Sequence, residues 1–167
     1  LKASEGLDNL RILLPMISGL QELEESLHLI HRAWSEVRDE GFDIPLPPIG
    51  VMIEVPAAVY QIRELAREVD FISIGSNDLT QLTLGVDRDS TRVAALFDER
   101  ISAVTRSCAT LIAAAHRAGR KVGICGQAPS DYPEFAAFLV AEGIDSISLT
   151  PDAVVRTKRR IAEVEQR

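Results

Sequence analysis

Aromatic side chains make up only 5% of this sequence, and only two of its residues, Cys108 and Cys125, are cysteines. The two lack C-x-x-C spacing and build no disulfide scaffold, so a reduced cytoplasmic setting is expected. No apolar run is long enough to span a membrane and no secretory leader opens the chain, so neither insertion nor export is expected. Positive charge is scarce as well. A net charge of −7, without a basic stripe interleaved with aromatics, argues against a nucleic-acid partner. The one basic cluster, Arg156 to Arg160, falls in the last predicted helix, where the helix dipole favours cations near the C-terminal end. An initial Met is missing too, and a chain that opens on Leu1 reads as a piece of something longer.

What is present is an ordinary globular composition, 46% hydrophobic and 26% charged over 167 residues, enough for one domain with a sizeable core. The pattern alternates short apolar runs with helical periodicities. The first strand is predicted over Leu10–Met16, and Ser18 to Gln21 has the form of a capping box for a helix whose stripe is Leu20, Leu23, Leu27, Ile30, Trp34 and Val37. His28 and His31 lie off that stripe and read as surface residues. A second strand, IGVMIEVP (49–56), leads into a helix begun by Pro56. The third, Phe71 to Ile74, breaks into Gly75-Ser76-Asn77-Asp78, and Leu79 to Thr91 reads as a loop. A helix over Glu99–Ala118, stopped by Gly119, precedes a fourth strand over Lys121–Gly126. Ser130 to Glu134 reads as the cap of a helix burying Phe135, Phe138 and Leu139. A fifth strand follows over Ser146–Thr150, with Pro151 as first residue of the last helix. Five strand–helix units without repeats or low-complexity linkers predict an α/β chain with a parallel sheet. Patterning alone leaves open a flavodoxin-like five-stranded sheet or part of a closed barrel.

Two of these strands end in acids. Glu54 is the lone carboxylate in an apolar run, and burying an ionised carboxylate is costly unless an ion pair, a metal or a dense hydrogen-bond set compensates. Gly75 to Asp78, taken alone, is an ordinary turn or cap. Together, consecutive parallel strands that both end in acids place oxygen ligands where α/β folds bind substrates, in a set suited to a hard divalent cation with open positions. Cys125 also sits at a strand's C-terminal end, and reads either as an inert small hydrophobe or as a thiol for proton transfer.

The segments VMIEVPAA (51–58), FISIGSNDL (71–79), VDR (86–88) and GICG (123–126), in this order, resemble the C-terminal phosphoenolpyruvate (PEP)-binding barrel of the PEP-utilising enzymes. That family includes phosphoenolpyruvate synthases, pyruvate phosphate dikinases and enzyme I of the sugar phosphotransferase system. CGQAPSD (125–131), LFDER (96–100) and GIDSISL (143–149) are most similar to the synthase branch, while Gln127 stands where the other branches usually carry an acid. The resemblance implies strands four to eight of a TIM (β/α)8 barrel, a single partial domain over residues 1–167 of a longer multidomain enzyme. It implies Mg²⁺, with Mn²⁺ as substitute, on Glu54 and Asp78. Gly75, Ser76, Asn77 and Arg88 are implied to contact PEP or pyruvate, and Cys125 to act as acid/base at C3. The implied reaction passes a phosphoryl group from phosphohistidine to the enolate of pyruvate. No phosphohistidine loop or ATP-binding region lies within these residues, so the isolated piece is expected to lack turnover and, with open edges, to form homo-oligomers. The alternatives are a dikinase or enzyme I domain, another Mg²⁺-enolate enzyme of pyruvate, or a non-catalytic dimerisation module.

Overall fold

A computed structural model describes residues 1–165. Its centre is a five-stranded parallel sheet: β1 (Ile12–Leu14), β2 (Ile49–Ile53), β3 (Phe71–Gly75), β4 (Lys121–Cys125) and β5 (Ser146–Ile147). The spatial order is β1-β2-β3-β4-β5, each strand paired in parallel with the next. Right-handed crossovers that always step in one direction put every connecting helix on the same face of the sheet. That is barrel winding; the flavodoxin-like alternative needs a reversal in strand order, which this sheet does not have.

The helices are α1 (Leu20–Asp39), α2 (Pro56–Tyr60), α3 (Ile62–Glu68), α4 (Ser76–Leu84), α5 (Ser102–Arg117), α6 (Ala128–Asp131), α7 (Pro133–Ala141) and α8 (Val154–Glu165). Strand residues alternate between two environments, as a pleat requires. Val51, Ile53, Ile72, Ile74, Val122 and Ile124 are buried with Leu65, Leu111 and Ile112 of the helices. Each such side chain contributes roughly 1.5–3 kcal/mol on leaving water. On the opposite face Met52, Ser73 and Cys125 are only half-buried, and Cys125 Sγ lies 3.6 Å from Ser73 Oγ and 3.9 Å from Met52 Sδ. This is the face that would line a barrel's interior.

Several expected boundaries move. The loop expected from Leu79 is instead helix α4: Ser76, Asn77 and Asp78 form its first turn, Leu79 and Thr80 are buried, and Gly85 ends it at φ +63°, a conformation that favours glycine. Helix α5 begins at Ser102, not Glu99. The partner of the Ser18 cap is Glu22 rather than Gln21: its carboxylate accepts both the Ser18 N–H and hydroxyl at 2.8 Å. Strand β5 stops at Ile147. The Thr150 N–H then turns away to Ser130 Oγ at 3.0 Å, so Ser130 ties two segments together rather than capping a helix. A turn closed by Ala153 N–H on Thr150 O delays α8 to Val154. Arg156 to Arg160 therefore run from the first turn to the middle of α8 rather than lying at its C-terminal end, and Arg156 donates to the Ser130 carbonyl at 2.6 Å. His28 and His31 are exposed, as expected.

Candidate active site

The C-terminal ends of β2, β3 and β4 are adjacent, because Ile53 pairs with Ile74 and Gly75 with Cys125. Glu54 follows the last residue of β2 and is only 6% exposed. One of its oxygens accepts the Met16 N–H at 2.8 Å. Met16 has φ +56°, a backbone conformation that costs a non-glycine residue about 1–3 kcal/mol. The chain after β1 thus holds a strained turn that points an N–H at Glu54.

Glu54 faces Asp78 from the first turn of α4. Burial, chiefly, pushes the Glu54 carboxyl above its ordinary value of 4.5; the Met16 N–H opposes, and the neighbouring Asp78 carboxylate raises it further. Arg88 lies beyond, with Nη1 3.5 Å from Asp78 Oδ1, and its charge also favours ionised Glu54. Gly75 permits this approach. A Cβ there would stand 2.4 Å from Glu54 Cγ and 2.9 Å from Oε1. Asp78 thus stands between Glu54 and Arg88, next to the one and paired with the other, and Cys125 shares the sheet face on which Met52 and Ser73 lie.

Asn77 and Ser76 do not present themselves in the same way. Asn77 Oδ1 accepts the Gln127 N–H at 3.1 Å, joining the β3 and β4 ends. Ser76 is fully buried, and its hydroxyl donates to Glu99 Oε1 at 2.5 Å. Glu99 is the residue that sequence reasoning missed. Inside the run Asp98-Glu99-Arg100 it looks like an acid favoured at a helix start, yet it is 4% exposed. Burial, above all, pushes its carboxyl upward, opposed by the Ser76 hydroxyl and the Ala128 N–H. Only the adjoining Phe97 and Ile101 hinted at burial.

Two carboxylates, one largely withdrawn from water, converge with a single guanidinium to offset them. Hard oxygen donors of this kind fit Mg²⁺ or Mn²⁺. Among the described residues no group of three or more His, Cys, Asp and Glu forms a complete cage, so solvent and substrate would fill the other positions, as is usual for Mg²⁺. Among the same residues no helix is long and apolar enough to cross a membrane.

A family model described as PEP-utilising enzyme, PEP-binding domain, matches residues 1–166. A phosphoenolpyruvate synthase of Aquifex aeolicus is 48% identical over 97% of this chain and 18% of its own length. One from Synechocystis is 62% identical over 71% of this chain and 14% of its own length. A phosphoenolpyruvate-dependent phosphotransferase system protein of Escherichia coli is 40% identical over 99% of this chain and 22% of its own length. The chain thus spans about a fifth of the length of these relatives. Among solved structures, the fold resembles a Burkholderia xenovorans citrate lyase, with TM-score 0.64, 20% identity, and coverage of 90% of this chain and 48% of that one. It also resembles a Haloferax volcanii malate synthase, with TM-score 0.62, 19% identity, and coverage of 89% and 40%. On a match over nearly its whole length, the chain belongs to the PEP-utilising enzymes, as their PEP-binding domain.

Proposed function

We propose that this chain is the PEP/pyruvate half of a Mg²⁺-dependent phosphotransferase of the phosphoenolpyruvate synthase type. The observation that carries the reading is the contact between buried Glu54 and Asp78 at adjoining strand ends, capped by Arg88. Glu54 and Asp78 would hold the divalent cation, which supplies Lewis-acid stabilisation of developing negative charge on the pyruvate C2 oxygen. Arg88, at the rim, orients the transferred phosphoryl group through its guanidinium fork. The Gly75 to Asp78 turn presents backbone N–H groups at the start of a nine-residue helix, an environment favourable to a carboxylate.

Cys125 takes a proton from C3 of pyruvate as its thiolate and returns it as the thiol in the reverse direction. Ser73, 3.6 Å from Sγ, is the hydroxyl partner on that face. The phosphoryl group comes from a phosphohistidine outside these residues: its P–N bond breaks as a P–O bond to the enolate forms. The higher identity to the synthases than to the phosphotransferase system protein favours the synthase branch.

The test uses the full-length polypeptide that carries these residues. Deuterium exchange into the pyruvate methyl group, followed by NMR, is expected to be cation-dependent and to vanish in Cys125→Ala with pyruvate still bound. Exchange in Cys125→Ala at the unsubstituted rate would overturn the thiol's role and point to another enolate chemistry.

A further inference from the structure

Glu99 takes no part in the scheme above, yet its carboxylate is as buried as Glu54 and lies directly behind the site. It accepts the Ser76 hydroxyl from the first turn of α4, and the Ala128 N–H, from the segment after β4, favours its ionised form. Asp78 lies in the first of these segments, and the second leaves β4 directly after Cys125. A second tie runs parallel, from Gln127 N–H to Asn77 Oδ1 at 3.1 Å. Where they touch there is no spare room: a Cβ on Gly126 would stand 2.0 Å from Ser76 Oγ and 3.3 Å from both Asn77 Oδ1 and Glu99 Oε1.

We propose that Glu99 is a positioning residue, a buried clamp between Ser76 and Ala128 that sets the distance from the thiol of Cys125 to the Glu54–Asp78 pair. The geometry explains why an acid is used. A hydroxyl and an amide N–H approach it from different segments, and a carboxylate answers both where an apolar side chain would leave the buried Ser76 hydroxyl unpaired. Asp131 and Arg88 are other charges that act on it, opposite in sign. Among the described residues, the side-chain hydrogen bond left between these segments without Glu99 is that from Gln127 N–H to Asn77, which starts on an exposed residue.

The role assigned to Glu99 rests on reading Cys125 and the acid pair as one site, so the experiment separates the two. Glu99→Ala, Glu99→Gln and Ser76→Ala are made in this chain. The rate of Cys125 alkylation by iodoacetamide and the affinity for Mn²⁺ are measured well below each melting midpoint. Glu99→Ala is expected to raise the alkylation rate about tenfold, as the Cys125–Ala128 segment loses its tie. Glu99→Gln keeps both partners, its carbonyl facing the Ala128 N–H and its amide donating to Ser76 Oγ, and is expected to stay within about twofold. A lowered midpoint with unchanged alkylation in Glu99→Ala would overturn the proposal, because a merely structural acid would give that result. Should Glu99→Ala not fold, Ser76→Ala carries the test, with a severalfold rise expected and no change contradicting it. Absence of Mn²⁺ binding by the unsubstituted chain, with the alkylation pattern as expected, would sink the cation site and leave the clamp standing.

Discussion

Gly75→Ala is the most informative perturbation of the acid pair, because nothing but space forbids it. The Gly75 backbone, at φ −92°, is open to any residue. The added Cβ would lie 2.4 Å from Glu54 Cγ, more than about 1 Å inside an ordinary carbon–carbon contact. Glu54 must retreat by about that distance, or β3 must move. Overpacking of this kind costs about 1–3 kcal/mol. In a domain of this size each kcal/mol lowers the midpoint by about 2–4 °C, so a fall of about 2–12 °C is expected. A metal ligand displaced by ~1 Å falls far outside the ~0.2 Å tolerance of a coordination bond, so Mn²⁺ affinity should drop at least about tenfold. Gly50→Ala is the control. Its Cβ would meet the Phe71 ring at the same 2.4 Å, but at the opposite end of β3, roughly 13 Å from Gly75. Differential scanning fluorimetry and Mn²⁺ titration should show both variants destabilised and only Gly75→Ala impaired in binding. Equal Mn²⁺ affinity in the two would refute the role assigned to the Glu54–Gly75 contact.

The pH dependence of stability follows from the buried acids. Glu54 and Glu99 have folded values raised above the ordinary 4.5, so the fold gains stability as pH falls through those values, and the gain is complete below 4.5. Asp98 and Asp145 are lowered from 3.8, by Arg100 and by the Val122 N–H respectively, so their contribution is lost as pH falls below 3.8. Calorimetry in chelator should therefore show a midpoint that rises as pH falls from neutrality, then drops in stronger acid. A steady decline from neutrality downward would contradict this, and saturating Mg²⁺ should flatten the rise. The two thiols should differ sharply. Burial pushes Cys108 up to about 12, so iodoacetamide near neutral pH should label half-buried Cys125 and spare Cys108, as read by peptide mass mapping. Leu111→Ala, at a fully buried position on α5, should cost about 2–5 kcal/mol in a urea titration while leaving Cys125 labelling unchanged.

The strands that bury one face completely were legible in the sequence, because Val51, Ile53, Ile72 and Ile74 leave a strong apolar signature. Their order was not. Open and closed sheets share the same strand–helix alternation, and only pairing distinguishes them, so the family resemblance carried the barrel reading. The error at α4 has a local cause. Gly-Ser-Asn-Asp is turn chemistry in isolation, and it became a helix start because Leu79 and Thr80 found burial against the core. The start of α8 failed for the reverse reason, since a Pro at position 151 fits a first helical turn but the Thr150–Ala153 turn held it back. At the site, Glu54 was conspicuous as one charge in an apolar strand. Glu99 was not, because its burial depends on Ser76 and Ala128, far from it in sequence.

Titration of Mn²⁺ into the chain, followed by the electron paramagnetic resonance of the free ion, tests the Glu54–Asp78 assignment most directly. One ion per chain is predicted, displaced by Mg²⁺, with binding lost in Glu54→Gln and in Asp78→Asn while both variants keep a cooperative thermal transition. Undiminished binding in the doubly substituted chain, or no binding by the unsubstituted one, would contradict it.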